Sequence, residues 1–187
     1  MNKYLFLPLF FIALLLNSCA MQSSIIKSGY DFSKIKRIAV LDFTPATGHP
    51  VSGTMASDIF VKYMLKAGYE VIERSQLDEI LKEKNISSAG LLDKKNIQKL
   101  LGIDALIAGS VEAYIPETDI YDGIYPRFIA AQVGIGARMI DVQTGETLWS
   151  GSASYDGMNT QIAAEYLISS IVRELQNDIK STEEISK

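Results

Sequence analysis

The sequence predicts an α/β domain: a mixed sheet of about five strands with flanking helices, folded as a single three-layer-like unit. Three observations carry this. Arg37-Ile-Ala-Val-Leu-Asp-Phe43 is a continuous apolar run of strand length, the pattern of a strand buried on both faces. A strand, an amphipathic helix and a second strand then follow one another between residues 37 and 73, the order of a βαβ unit. Further on, Gln143-Thr144-Gly145-Glu146 is a tight turn between two strand-like segments, which makes those two antiparallel neighbours.

At the N-terminus, Lys3 stands before an almost wholly apolar stretch, Leu5 to Leu16. It is shorter than the roughly 20 apolar residues a spanning helix needs, and residues 1–18 read as a secretory signal peptide. The stretch closes on Leu16-Asn17-Ser18-Cys19, which holds the sequence's one cysteine. This ending resembles the lipobox of bacterial lipoproteins. The resemblance implies that the Cys19 thiol is diacylglycerated, that the signal is cut before it, and that the new amine is acylated as well. Two or three acyl chains, each at about 0.8 kcal/mol per buried methylene, anchor stably where one does not. Ala20 follows, with no Asp of the kind that retains lipoproteins at the inner membrane. The implied address is therefore the outer membrane, lipid-anchored and facing the periplasm. An ordinary signal peptide followed by an idle thiol is the alternative.

Removing residues 1–18 from the 187 leaves 169, enough for one domain with a core. The removed segment holds one base, Lys3, and no acid, so the formal charge moves from −4 to −5. An acidic chain with no basic cluster argues against nucleic acid as a partner. Beyond Cys19 no cysteine remains to form a disulfide, and His49 is the sole histidine, which excludes a Cys/His zinc site. No metal site and no cofactor is expected other than the covalent lipid on Cys19.

Residues 19–34, with Ser23, Ser24, Ser28 and Gly29, read as a polar tether after the lipidated N-terminus. The domain then spans residues 35–180. After the first strand, Thr44 to Gly53 is a loop containing Pro45, Gly48 and Pro50. Thr54 to Ala67 carries Ala56, Ile59, Phe60, Tyr63, Met64 and Ala67 at helical spacing, with Gly68 as the stop. Tyr69 to Glu73 is the second strand. Ser75 and Asp78 mark a helix start running toward Lys84, and Asp93 caps a shorter helix that ends before Gly102. Ala105 to Tyr114 is the third strand, and Ile115 to Arg127, with two prolines, reads as irregular. Phe128 to Val142 is a long strand with Ile129, Ala131, Val133, Ile135, Ala137 and Met139 on one face, and Gln132, Gly134, Gly136 and Arg138 on the other. Glu146 to Tyr155 returns antiparallel to it. Asn159 or Thr160 caps a last helix whose stripe includes Ile162, Ala163, Tyr166, Leu167, Ile171, Leu175 and Ile179. Residues 181–187 form a charged, frayed tail.

No catalytic constellation emerges. Asp42 stands at the carboxyl edge of the first strand, where α/β proteins place ligand groups, but an acid there also caps the loop backbone. No P-loop or Gly-x-Gly-x-x-Gly pattern follows it. His49, between Gly48 and Pro50, lacks a nucleophile-elbow serine, and Glu73, Arg74 and Asp78 read as helix-start electrostatics. The distinctive feature is a cluster of Tyr114, Ile115, Ile120, Tyr121, Ile124, Tyr125 and Phe128 around one loop. It is either a partner-binding surface or a satellite core folded over the sheet. Gly134, Gly136 and Arg138 either admit a neighbouring subunit or lie under the last helix.

Four segments carry a family resemblance: residues 37–43, Tyr69-Glu-Val-Ile-Glu-Arg-Ser-Gln-Leu-Asp-Glu-Ile-Leu81, Leu101-Gly-Ile-Asp-Ala-Leu-Ile-Ala-Gly-Ser-Val111 and Ala137-Arg-Met-Ile-Asp-Val-Gln-Thr-Gly-Glu146. In order and spacing they resemble the CsgG-type lipoproteins, which include the curli secretion channel and are related in fold to lipoprotein activators of penicillin-binding proteins. The resemblance implies an anticodon-binding-like periplasmic domain, similar to the one that opens TolB, that associates with other proteins and catalyses nothing. Pore-forming members insert two hairpins whose strands need about 9–11 residues each. Neither the stretch 115–127 nor the stretch 152–159 is long enough here.

The expected function is that of a non-enzymatic assembly or accessory component of an envelope secretion machine, working as a homo-oligomer or with protein partners. Activation of a cell-wall synthase is the alternative within the same class. A small-ligand binding module, with a pocket at the carboxyl edge of the first strand, or an envelope hydrolase using Asp42 and Glu73 are the alternatives outside it.

Overall fold

The computed structural model describes residues 22–72, 102–123 and 125–185. The signal segment, Cys19, the helices expected between residues 75 and 101, Glu73 and Ile124 lie outside the described residues.

Strand β1 (Gln22–Ile26) comes first, then a short 3-10 turn (Phe32–Lys34) whose entry is capped by the Asp31 carboxylate. Strand β2 (Arg37–Val40), helix α1 (Val51–Lys66) and strand β3 (Glu70–Ile72) form the βαβ unit. Strands β4 (Ala105–Ile115), β5 (Thr118–Asp122), β6 (Tyr125–Ile129), β7 (Ala131–Asp141) and β8 (Thr147–Gly157) follow, and helix α2 (Thr160–Ile185) closes the order. Six strands build the main sheet in the order β1-β8-β7-β4-β2-β3, while β5 and β6 pair only with each other. β2 is parallel to both β3 and β4. β4, β7, β8 and β1 are successively antiparallel. The α/β class and the mixed sheet stand as the sequence predicts.

Both helices cover one face. Ile38, Ile107, Ile135, Met139 and Trp149 meet Phe60 and Met64 of α1 and Leu167 and Ile171 of α2 in one buried cluster. The opposite face carries a smaller cluster built on Leu41, Ile103, Leu106 and Ile140. Helix α1 begins before the expected Thr54, because Pro50 already has helical dihedrals and Ser52 Oγ accepts from the Ala46 N–H and donates to the His49 carbonyl. Gly68, at φ 93°, ends it. Asn159 Oδ1 accepts from the Ile162 N–H at 2.8 Å and so caps α2.

Four expectations need correction. Residues 22–26 are an edge strand and not a tether, because their backbone completes a ladder with β8 from Gln22 opposite Ala153 to Ile26 opposite Trp149. The stretch after β4 is not irregular: β5 and β6 form a regular hairpin with Tyr121 opposite Pro126, a position where proline removes no needed donor. The long strand expected over 128–142 is therefore two, parted at Ala130, with Phe128 and Ile129 in the hairpin. Finally, α2 runs through to Ile185 where a frayed tail was expected. Its apolar stripe holds Ala163, Leu167, Ile171 and Leu175 buried, whereas Ile162 and Tyr166 stand half exposed.

Candidate functional site

Two features stand out beside the main core: the hairpin and the sheet face opposite α1 and α2. The hairpin leaves the sheet where β4 ends at Ile115 and returns where β7 begins, beside Gln132. Period-two alternation puts Tyr121, Pro126 and Phe128 on one side, and Ile120, Tyr125 and Ile129 on the other. Neither side is covered. Tyr121 is 75 % exposed, Tyr125 77 % and Phe128 55 %, so these rings are not a satellite core. Tyr114 parts company with them. Its ring lies 4.8 Å from that of His49, its hydroxyl is 3.1 Å from Thr160 Oγ1, and it packs against the main core. That makes Tyr114 and His49 part of the packing where α1 and α2 begin, not part of the exposed cluster.

On the face opposite α1 and α2, a trough of ≈ 670 Å³ crosses the strands at the carboxyl edge of β2. Asp42, Ser110, Glu112, Arg138 and Ser152 line it, over a floor that includes Gly136. A Cβ at Gly136 would stand 2.5 Å from the Glu112 carboxylate, so a larger residue there would push that side chain aside. Helix α2 packs on the other face, so it does not cover Gly134, Gly136 and Arg138. Chemically, the trough offers one guanidinium, two carboxylates and several hydroxyls. Among the described residues no group of three His, Cys, Asp or Glu gathers to hold a metal ion.

The perturbed titrations lie elsewhere and belong to structural ties. Burial would push the Asp141 carboxyl up, but the Tyr30 hydroxyl and the backbone N–H groups of Thr144 and Gln143 outweigh it and hold the group below the ordinary range. Burial, followed by the Asp141 carboxylate, pushes the Tyr30 phenol up. The Lys62 ammonium, at 2.7 Å and 2.8 Å from the two oxygens of Glu165, likewise lowers that carboxyl and ties α1 to α2.

Sequence reasoning found the hairpin residues and Ile115 through their composition but missed other exposed apolar side chains, among them Val51 and Met158. Nothing local distinguishes them from core residues. Among the described residues no helix is long and apolar enough to cross a membrane.

Known proteins agree with this architecture. The chain is 26 % identical over 176 residues to a protein of Neisseria meningitidis serogroup B described as a lipoprotein, covering 89 % of this chain and 78 % of that one. A PelC dodecamer from Paraburkholderia phytofirmans shares the fold with a TM-score of 0.60 at 22 % identity, over 83 % of this chain and 98 % of that one. Lipoprotein GNA1162 from Neisseria meningitidis does so with a TM-score of 0.52 at 23 % identity, over 76 % and 99 %. Residues 21–184 match the family described as curli production assembly/transport component CsgG, and the chain belongs to that family.

Proposed function

We propose that this chain is a non-enzymatic accessory component of an envelope secretion or assembly machine, anchored through acylated Cys19 to the outer membrane on its periplasmic side. The observation that carries the reading is the β5–β6 hairpin: an ordered arm whose aromatic and aliphatic side chains are exposed on both sides. Apolar surface of that kind is maintained for contact. Family membership supports an envelope setting, and the PelC dodecamer supports self-association as part of the working state. The arms are five residues long, against about 9–11 for a membrane-crossing strand, which supports a role outside pore formation.

The anchor is tested by metabolic labelling with a palmitate analogue, in which wild type takes the label and Cys19→Ser does not. Unlabelled wild type would end the localisation with it. The non-enzymatic half is tested by complementation of a strain lacking the protein. Asp42→Asn and Glu73→Gln should restore the envelope phenotype as wild type does. Hydrolysis of peptidoglycan by the purified chain, abolished by Asp42→Asn, would reverse the assignment.

The trough at the carboxyl edge of β2 favours a second reading, a binding site for a small polar ligand. A thermal-shift screen of anionic saccharides and peptides, run on wild type and Arg138→Ala, tests it. A ligand should stabilise wild type alone, and no such compound in the screen would count against the reading.

A further inference from the structure

The two ends of the sheet are not alike. Of the twelve large hydrophobic side chains exposed among the described residues, nine lie at the end where β4 and β2 finish. Five are on the hairpin, Ile115 is at its root, and Val51, Met158 and Ile162 sit where the helices begin. Leu65, at the finish of α1, marks the opposite end.

β1 enters the sheet from that same apolar end. It runs antiparallel to β8, with Gln22 opposite Ala153, while β8 continues to Asp156 beside Gln132 and to Gly157 beside Ala131. Cys19 precedes Gln22 by three residues, and three extended residues span about 10 Å. Ala153 to Asp156 is also three residues, so the cysteine can just reach the closing row of the sheet, where Ile115 pairs with Gln132. An acyl group within that reach would hold this end of the sheet toward the bilayer.

We propose that this end of the domain is a bilayer-docking face, with the hairpin lying in the headgroup region of the leaflet that holds the anchor. The proposal rests on the acylation of Cys19 given above. Tyr and Phe are the side chains that settle at a lipid–water boundary. Strands of five residues are about 17 Å long, enough to reach the acyl boundary some 5–10 Å down and far too short to cross a core of about 30 Å. Residues 117–129 hold three acids, Glu117, Asp119 and Asp122, against one base, Arg127. Burial of apolar surface must therefore drive docking, and attraction to anionic lipid must not. Binding to neutral phosphatidylcholine should match binding to phosphatidylglycerol-containing vesicles and persist at high salt.

Acylation blocks the one native thiol, so a single introduced cysteine carries a unique spin label. Full-length lipidated Tyr121→Cys and Leu65→Cys, each labelled with a nitroxide, are reconstituted into phosphatidylcholine vesicles. Position 121 should lose accessibility to an aqueous nickel chelate and gain accessibility to oxygen, whereas position 65 should remain aqueous. An acylated chain in which position 121 stays as wet as position 65 overturns the docking face and leaves the anchor standing. A label at 121 that is wet in pure lipid but immobilised in native envelopes assigns the hairpin to a protein partner and overturns it too. A native Cys19 that itself takes the label is unacylated, and both readings then fall together.

Discussion

The indole of Trp149 donates from Nε1 to Ser24 Oγ at 2.8 Å, joining residues 125 apart in sequence. Ser24 in turn donates to the Asp178 carboxylate of α2. One hydroxyl thus ties the edge strand to the centre of the core and to the last helix.

Ser24→Ala leaves the indole N–H, on a side chain 1 % exposed, without its partner. Loss of a buried partner costs about 1–3 kcal/mol. The urea midpoint should fall accordingly, and amide exchange in residues 22–26 should accelerate more than in β4. A midpoint equal to that of wild type would mean the strand is held by its backbone ladder alone.

Tyr30 and Asp141 make the fold sensitive to acid. The Tyr30 hydroxyl lies 2.7 Å from Asp141 Oδ2, and Oδ1 accepts from the N–H groups of Gln143 and Thr144 at 2.7 Å and 2.9 Å. The folded carboxyl titrates below its unfolded value, so its contribution is complete above the unfolded pKa and disappears as pH falls through the folded one. Stability should decline below about pH 4, the unfolded range for Asp, and Asp141→Asn should be less stable at pH 7 but flatter in that window. Urea midpoints of both proteins at pH 7 and pH 3 measure this, and parallel profiles would remove Asp141 from the account.

Helix propensity and packing oppose each other at Gly53. Alanine in a helix interior is better than glycine by about 1 kcal/mol. A Cβ at this position would stand 2.1 Å from the Phe43 carbonyl oxygen, a backbone atom that cannot swing aside. Overpacking of about 1–3 kcal/mol should win, so Gly53→Ala should lower the melting temperature. A rise would show that the loop from Phe43 to Pro45 yields easily.

Tyr121→Ser with Tyr125→Ser should leave thermal stability within about 0.5 kcal/mol of wild type, because both rings are exposed and, among the described residues, the hairpin strands pair only with each other. Contact with the membrane or a partner should weaken. An unfolded double variant would put those rings in the core.

The purified chain should give no channel conductance in planar bilayers, since five paired residues per arm cannot cross the hydrocarbon core. Steady single-channel currents would contradict this whatever the oligomeric state.

Local pattern alone determined β2, α1, β3 and the β7–β8 turn, and narrowed the cap of α2 to Asn159 or Thr160. A buried strand, a helical stripe and a turn glycine each write a short-range period or residue preference, as Gly145 does at φ 73°. Composition likewise exposed the aromatic cluster that became the hairpin. It could not separate Tyr114 from Tyr121, because tyrosines a few residues apart in one apolar stretch look alike until packing decides which ring meets His49. β1 was illegible for a related reason: Gln-Ser-Ser-Ile-Ile has no strong alternation, and its ladder is supplied by β8, at the far end of the chain. The length of α2 past Lys180 is similar, since Ile179 packs against the core and carries the helix beyond where its own charged sequence suggests an end. Periodicity tells which face of an element is buried. Only the topology tells which ends come together, and here it brings the root of the hairpin and the first turns of both helices to one end of the sheet, the end from which β1 enters its ladder with β8.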